Sequence, residues 1–536
     1  MKEQYQKSMK VIQERSSAMA EAVILPMIDE STGGLIAESA TCCERLEKVT
    51  KHTIFESAGK GAATIQGVAA NAVSIYRNTY GRFPSPDLLA SAHMAIENLL
   101  LPPDNMPGLA AAILESSGLS TTEGVMMRDR MVALVLPVLL QSITSRMVTH
   151  IPGTFNQSEI FKVKRTAGST FGDLTTGDVI GYDFNGQYSS MDQRYLTDTG
   201  DGTEVGGADS TTANYFQFSA ATDIGEAQPI KPKRVKILHD RDLVAVDDGE
   251  GSLHGTFYVG ATLVTVTGSV TYSTGVVTPV FSTAPADGVE VHVCVDIDIE
   301  TDPTLIPVID HTMLSKVVYP HEMAINVWSS IQALWAMKRE FNLNMEGMAM
   351  TGIRNFVAAE RDRKILNDMR FYAQGTKQWD IDVPSGLTVG QHYETLRLAL
   401  LEMDAEIMNR TGIAGLSGVV FDSDSASIVK YLPAPFFTPA PGYVRQAQPH
   451  YIGRMYGMWD AYEDPTATSM HSLAYGIGTS VGEAGYVVGD CIPPIPFTHP
   501  VQKDLQKSST LWGLGYRDIH PFDGRNYFME LEFTTG

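Results

Sequence analysis

"NMEGMAMTGIRNFVAAERDRKILNDMRFYAQG", residues 344–375, carries two apolar stripes joined by a charged middle. Met345, Met348, Ala349, Gly352 and Phe356 recur at helical spacing, and Ile365, Leu366 and Met369 renew the stripe beyond the patch Glu360, Arg361, Asp362, Arg363 and Lys364. The spacing predicts one helix of about 30 residues, on the order of 45 Å at the standard rise, with Gly375 as its stop. Immediately upstream, "PHEMAINVWSSIQALWAMKREFNL" also reads as helical. Downstream, Thr388 to Asn409 forms a second amphipathic helix with Leu396, Leu400, Met403 and Ile407 on one face, and "GVVFDSDSASIVKYL" reads as strand, capped turn and short helix. Beyond Pro433, "YIGRMYGMWDAYEDP", "HSLAYGIG", "AGYVVGDCIPP" and "NYFMELEF" read as strands.

Before the long helix the pattern changes. Residues 1 to 120 read as helices broken by Gly and Pro, with small apolar residues such as Ala62, Ala63, Val68, Ala69, Ala70 and Ala72. "MVALVLPVLLQSITSRMV" predicts a buried helix kinked at Pro137. From Pro152 the chain turns to strands, and "LTDTGDGTEVGGADSTT", residues 196–212, suits the tip of an extended, exposed hairpin. Between Ile237 and Asp302, short β-branched runs alternate with turns, "VTYSTGVVTPVF" among them, which predicts a compact all-β insert. That span holds eleven acids against one base, Arg241. The fold class is α+β.

Composition sets limits on function. A chain of 536 residues exceeds a single core, so two to four domains are expected. A net charge of -22 disfavours capture of nucleic acid by a broad basic surface. Cys42, Cys43, Cys294 and Cys491 show no metal-ligand spacing, which points to a reducing compartment, no zinc site and no cofactor. The charged N-terminus does not read as a signal peptide, and the longest apolar run, Met131 to Leu140, is too short to span a bilayer.

Few residues are arranged for chemistry. "GTSVG", residues 478–482, matches the nucleophile elbow of a serine hydrolase, with Asp490 and His499 following in hydrolase order. That elbow needs a helix directly after the serine, whereas "EAGYVVGDCIPPIP" reads as a strand. "GKG" at 59–61 lacks the remainder of a phosphate loop. Asp296, Asp298, Glu300 and Asp302 alternate along a strand, about 7 Å apart and too far for one ion, so they read as a solvated acidic face. Two basic clusters flank the expected hairpin: Lys162, Lys164 and Arg165, then Lys233, Arg234 and Lys236. They suit either docking onto acids of a neighbouring molecule or ordinary charged strand edges.

The order of these elements resembles the major capsid proteins of tailed bacteriophages. The resemblance is carried by "AGSTFGDLTTGDVI", by "VVYPHEMAINVWSSIQALWAMKREFNLNMEG" running into "VAAERDRKIL", and by "YIGRMYGMWDAYEDP"; these stretches look most like capsid proteins of contractile-tailed, T-even-like phages. It implies an N-terminal arm or helical region (1–120), an N-terminal helix with an extended loop (121–230), and an inserted β domain (231–302). It further implies a peripheral domain with a long spine helix (303–387), an axial domain (388–500) and C-terminal strands (501–536) returning to the peripheral domain. The implied function is a virion shell of hexamers and pentamers enclosing double-stranded DNA, assembled in the bacterial cytoplasm without a membrane, with portal, scaffold and possibly decoration proteins as partners. Lys162, Lys164, Arg165, Lys233, Arg234, Lys236, Glu360, Arg361, Asp362 and Arg363 become candidate contacts between subunits. Glu38, Glu56 and Glu115 match the Glu sites at which relatives are trimmed.

Overall fold

The computed structural model describes residues 2–29, 34–36, 39–50, 53–56, 62–100, 135–153, 156–181, 186–199, 211–212, 228–283, 285–286, 289–340, 345–434, 436–499 and 505–535. These form two compact units, Met1–Lys162 with Ser315–Gly536, and Val163–Leu314. The "GKG" stretch, Glu38, Glu115 and most of residues 196–227 lie outside the described residues.

In the first unit, helices Lys2–Met19, Ser39–Thr50, Ala62–Tyr80 and Pro86–Leu100 share a core. Its small side chains, Ala62, Ala69, Ala70, Ala92 and Ala95, let helices approach closely, and Val135, Leu136, Leu139 and Leu140 complete it. Val68, on the opposite side of its helix, is exposed.

A seven-stranded mixed sheet forms the α/β body of this unit. Its order is Thr376–Asp380, Phe528–Thr534, His471–Gly476, Leu416–Phe421, Trp459–Glu463, His450–Met455 and Phe437–Pro439. Helix Val389–Thr411 lays Leu396, Leu400, Met403 and Ile407, all fully buried, on the sheet. Its ends follow from sequence: Thr388 and Gln391 form a reciprocal capping box, and Gly412 ends the helix at φ 70°, where a β-carbon would be strained. Asp422 caps the following helix, Ser423–Tyr431, by accepting from the amides of Asp424 and Ser425.

The long helix spans Met345–Tyr372, 28 residues, in agreement with its spacing. Ile365, Leu366 and Met369 are fully buried against Ile143, Met147 and Tyr486, but Phe356, expected on the same stripe, is 53% exposed. Upstream the helical expectation fails in part. His321–Ser330 is a strand, and helix starts only at Ile331. The alternation of Met323, Ile325 and Val327 with Ala324, Asn326 and Trp328 has period two, and pairing along ten residues of Gln506–Ile519 satisfies one edge of that strand's backbone. No helix among the described residues is long and apolar enough to cross a membrane.

The second unit is built on an eight-stranded antiparallel sheet, in the order Asp192–Thr199, Glu290–Asp296, Lys236–His239, Asp242–Asp247, Ser252–Val259, Thr262–Thr271, Val276–Phe281 and Thr211–Thr212. Period-two burial along Glu290–Asp296 places Val291, Val293 and Val295 in its core. The expected hairpin differs from what forms. Ser158–Ala167 pairs with Ile309–Val318, Asp192–Thr199 pairs with Glu290–Asp296 and Thr211–Thr212 pairs with Val276–Phe281, while the rest of the expected tip and the arm after it lie outside the described residues. The apolar alternation of Glu290–Asp296 has two edges to satisfy, and Asp192–Thr199 covers one of them.

His93 makes the N-terminal helices sensitive to acid. It is buried near Arg15, which forms an ion pair with Glu97. Burial, aided by the Arg15 charge, lowers His93 to about 4 from 6.5. The unfolded chain therefore takes up the proton first, so this residue's contribution is complete above about pH 6.5 and is lost as the pH falls toward 4. Denaturant unfolding of the full chain across that window is expected to show a loss of up to about 3 kcal/mol that His93→Gln abolishes; an unchanged slope in the variant would refute the assignment.

Candidate inter-subunit surface

From Ile306 to Glu340 the chain makes two ten-residue strands and a ten-residue helix, yet Val318 is the single buried residue in the run. Ile306, Val308, Ile309, Leu314, Val317, Tyr319, Trp328 and Trp335 are all exposed, the two tryptophans at 67% and 68%. Backbone pairing keeps the run ordered: Ile309–Val318 bonds to Ser158–Ala167 and His321–Ser330 to Gln506–Ile519. Of these, Val317, Tyr319, Trp328 and Trp335 belong to the first unit, and Ile306, Val308, Ile309 and Leu314 to the second.

The long helix next to this run is fixed by buried polar contacts. Arg361 donates from Nη1 to Asp490 Oδ2 at 2.8 Å, with the two side chains 11% and 4% exposed. Asp362 accepts from the hydroxyls of Ser142 at 2.6 Å and Thr144 at 2.8 Å, and burial raises its carboxyl despite these bonds. Arg370 reaches Asp464 at 2.8 Å. Arg517 lies beside the first pair, and burial together with the Arg361 charge lowers it to about 10.

The sequence-predicted contacts therefore separate into two groups. Arg361 and Asp362 are turned into the subunit, where their partners are its own residues. Lys162 pairs with Asp523 and Arg234 lies 3.7 Å from Asp296, whereas Lys233 and Lys236 are exposed and Arg165 lies on an exposed position of Ser158–Ala167 next to half-buried Lys164. Glu360 is exposed on the long helix, and half-buried Arg363 follows Asp362.

The hydrolase arrangement does not form. Ser480 sits in the turn of a β-hairpin closed by the Ile477–Ala484 bridge, its amide donating to Glu483 at 2.9 Å, with a strand and no helix after it. Asp490 is committed to Arg361, and the His499 ring lies 2.9 Å from the Thr510 hydroxyl. Of the alternating acids, Asp298 and Asp302 cap turns by accepting from Thr301 and Thr304, and among the described residues no group of His, Cys, Asp or Glu is placed to hold a metal ion.

Two buried charge clusters were not foreseen. Asp460 receives Arg146 at 2.6 Å, Arg454 at 3.2 Å and Arg82 at 3.6 Å; Glu463, fully buried, receives Lys430, with His450 at 3.4 Å and Arg445 at 3.5 Å. The signal was present in "WDAYE", residues 459–463, a strand whose every residue is buried although two are acidic. A buried carboxylate requires cations, and these come from distant parts of the chain.

Residues 1–142 match the family described as Domain of unknown function (DUF8615). Over 140 residues the chain is 34% identical to Protein IncB of Escherichia coli, covering 25% of this chain and 67% of that protein. Through this shared segment the chain belongs to the family of Protein IncB. Among solved structures, similarity extends to the icosahedrally averaged capsid of jumbo bacteriophage PhiKZ, at 10% identity and a TM-score of 0.34 over 73% of this chain and 92% of that one. It extends also to the capsid of Myoviridae phage XM1, at 12% identity and a TM-score of 0.29 over 42% and 78% of the two chains.

The buried anchor sets a clear expectation. Asp490→Asn leaves Arg361 and Arg517 buried without their shared counter-charge and should destabilise the chain by about 3–5 kcal/mol, whereas Lys364→Ala, at a solvent-exposed pair with Asp368, should cost less than about 1 kcal/mol. Urea unfolding measures both, and equal costs would mean that Asp490 is not the anchor.

Proposed function

We propose that the chain is a virion structural protein that self-assembles into the hexamers and pentamers of an icosahedral shell around double-stranded DNA. The observation that carries this reading is the stretch Ser315–Glu340 of the first unit, where Val317, Tyr319, Trp328 and Trp335 stand exposed without cover from the described residues. Buried apolar surface contributes roughly 25 cal/mol per Å², so covering such a run from a neighbour supplies an association energy that recurs at every contact of a closed shell. The sequence resemblance to tailed-phage capsid proteins gives that association its form. In this reading residues 303–387 with the helix Met345–Tyr372 are the peripheral domain and its spine, 388–500 the axial domain, and 501–536 the returning strands. The remaining parts are an N-terminal helical region (1–120), an N-terminal helix with an extended loop (121–230) and an outward β domain (231–302).

Acidity supports an outward place for the β domain, since eleven acids against one base between Ile237 and Asp302 would repel packaged DNA. Lys164, Lys233 and Lys236 are then docking cations toward acidic neighbours. The chain would act without an enzyme activity or cofactor, in the virion, beside portal, scaffold and decoration proteins and without sequence-specific contact to the genome.

Sedimentation velocity and negative-stain imaging of the purified protein should show capsomers or closed particles. Trp328→Ser combined with Trp335→Ser, both at exposed sites, should reduce particle yield by roughly tenfold or more as two interface anchors are lost, with the circular dichroism of the subunit unchanged. A wild-type chain that stays monomeric at high concentration would overturn the proposal, and a fully assembling double variant would remove the run from the interface.

A further inference from the structure

An open cleft of 620 Å³ lies in the first unit between the loop that joins helices Ala62–Tyr80 and Pro86–Leu100 and the turn Gly478–Glu483. Three guanidinium groups line it: Arg82, Arg146 and Arg454. All three converge on one carboxylate, Asp460, whose Oδ2 takes Arg146 and Arg82 while Oδ1 takes Arg454. Both oxygens of Asp460 are thus engaged, and with Asp87 and Glu483 the cleft sets three carboxylates against its three guanidinium groups.

The other carboxylates lining the cleft are already engaged. Asp87 accepts the His150 amide at 2.7 Å, and Glu483 accepts the Ser480 amide at 2.9 Å.

The donors are not fully used. The Arg146 side chain is 3% exposed, yet its Nε and Nη1 have no acceptor; only Nη2 is engaged, on Asp460, while the guanidinium carbon lies 4.3 Å from the centre of the Tyr80 ring. The neighbouring Ser145 hydroxyl, which also lines the cleft, is buried and lacks a partner as well. Unsatisfied buried donors of this kind cost about 1–3 kcal/mol each, more when charged, so their concentration at one opening marks a place where an acceptor is missing. Arg82 and Arg454 are 59% and 45% exposed at the side chain and can swing toward an incoming group.

We propose that this cleft binds a small dianionic oxyanion of the phosphate class, either free or as a phosphomonoester, held by the Arg146 Nε and Nη1 donors and the Ser145 hydroxyl and clamped by Arg82 and Arg454. Guanidinium forks match the spacing of tetrahedral oxyanion oxygens. The site is independent of shell formation, because every group in it belongs to one subunit.

The test is calorimetric titration and thermal unfolding of the full-length protein with inorganic phosphate, against chloride at matched ionic strength, with glycerol phosphate as a second arm. Phosphate should raise the unfolding temperature where chloride does not, as any ligand of the native state does. Arg82→Gln combined with Arg454→Gln, both at half-exposed positions, should weaken binding by roughly tenfold or more. Glycerol phosphate binding as well as phosphate identifies a phosphomonoester site, and binding of phosphate alone identifies a free-ion site. Identical behaviour in phosphate and chloride, or an undiminished phosphate response in the double variant, would overturn the proposal.

Discussion

The long helix is held by charge as much as by oil. Between Arg361 and Arg370, about 13 Å along the axis, it reaches three separate pieces of chain through Asp490, the Ser142–Thr144 turn and Asp464. The apolar residues on that stretch, Ile365, Leu366 and Met369, would pack against many surfaces of similar shape, since dispersion and burial are not directional. Buried ion pairs add little net stability, but a mismatched register would strand each charge at a cost of several kcal/mol. Their role here is to select one position of the helix, and with it the position of the strands beside it.

That division explains what could be read in the sequence and what could not. Period and capping are local, so helix Met345–Tyr372, helix Val389–Thr411 with its Thr388 box, and the strand and capped helix after Gly418 stand where their spacing puts them. His321–Ser330 was misjudged because it joins a true helix without a break, and its alternation competes with the helical pattern that follows. The pairing of Asp192–Thr199 with Glu290–Asp296 was hidden for a different reason: the partners are separated by most of the β unit, and nothing in either strand names the other.

Charged residues were the least legible. In "AERDRK" all four central charges look equally suited to a surface, yet Arg361 is committed to Asp490 and Asp362 to Ser142 and Thr144 within the chain, while Glu360 is exposed. A helix presents i and i+1 about 100° apart, so the direction each charge faces depends on where the apolar stripe settles. The stripe settles by Ile365 and Leu366, and Arg361 follows one turn earlier. The same holds for Asp460: its cations Arg82 and Arg146 stand more than 300 positions away in sequence, and only the closed fold assembles them.

Under the proposed assembly, the exposed side chains of the first unit and its buried clusters answer one requirement. A subunit that must fit identical neighbours needs a fixed shape before it meets them, because any looseness would be charged against each contact as ordering entropy. Buried Arg–carboxylate clusters fix the shape from within, at Asp490, Asp460 and Glu463. Within the first unit, the ladder with Gln506–Ile519 orders the backbone of His321–Ser330 although its side chains find no core. Trp328, exposed on a ten-residue ladder, has a backbone that is already ordered, so in the proposed assembly its burial would lose little of its energy to freezing the chain.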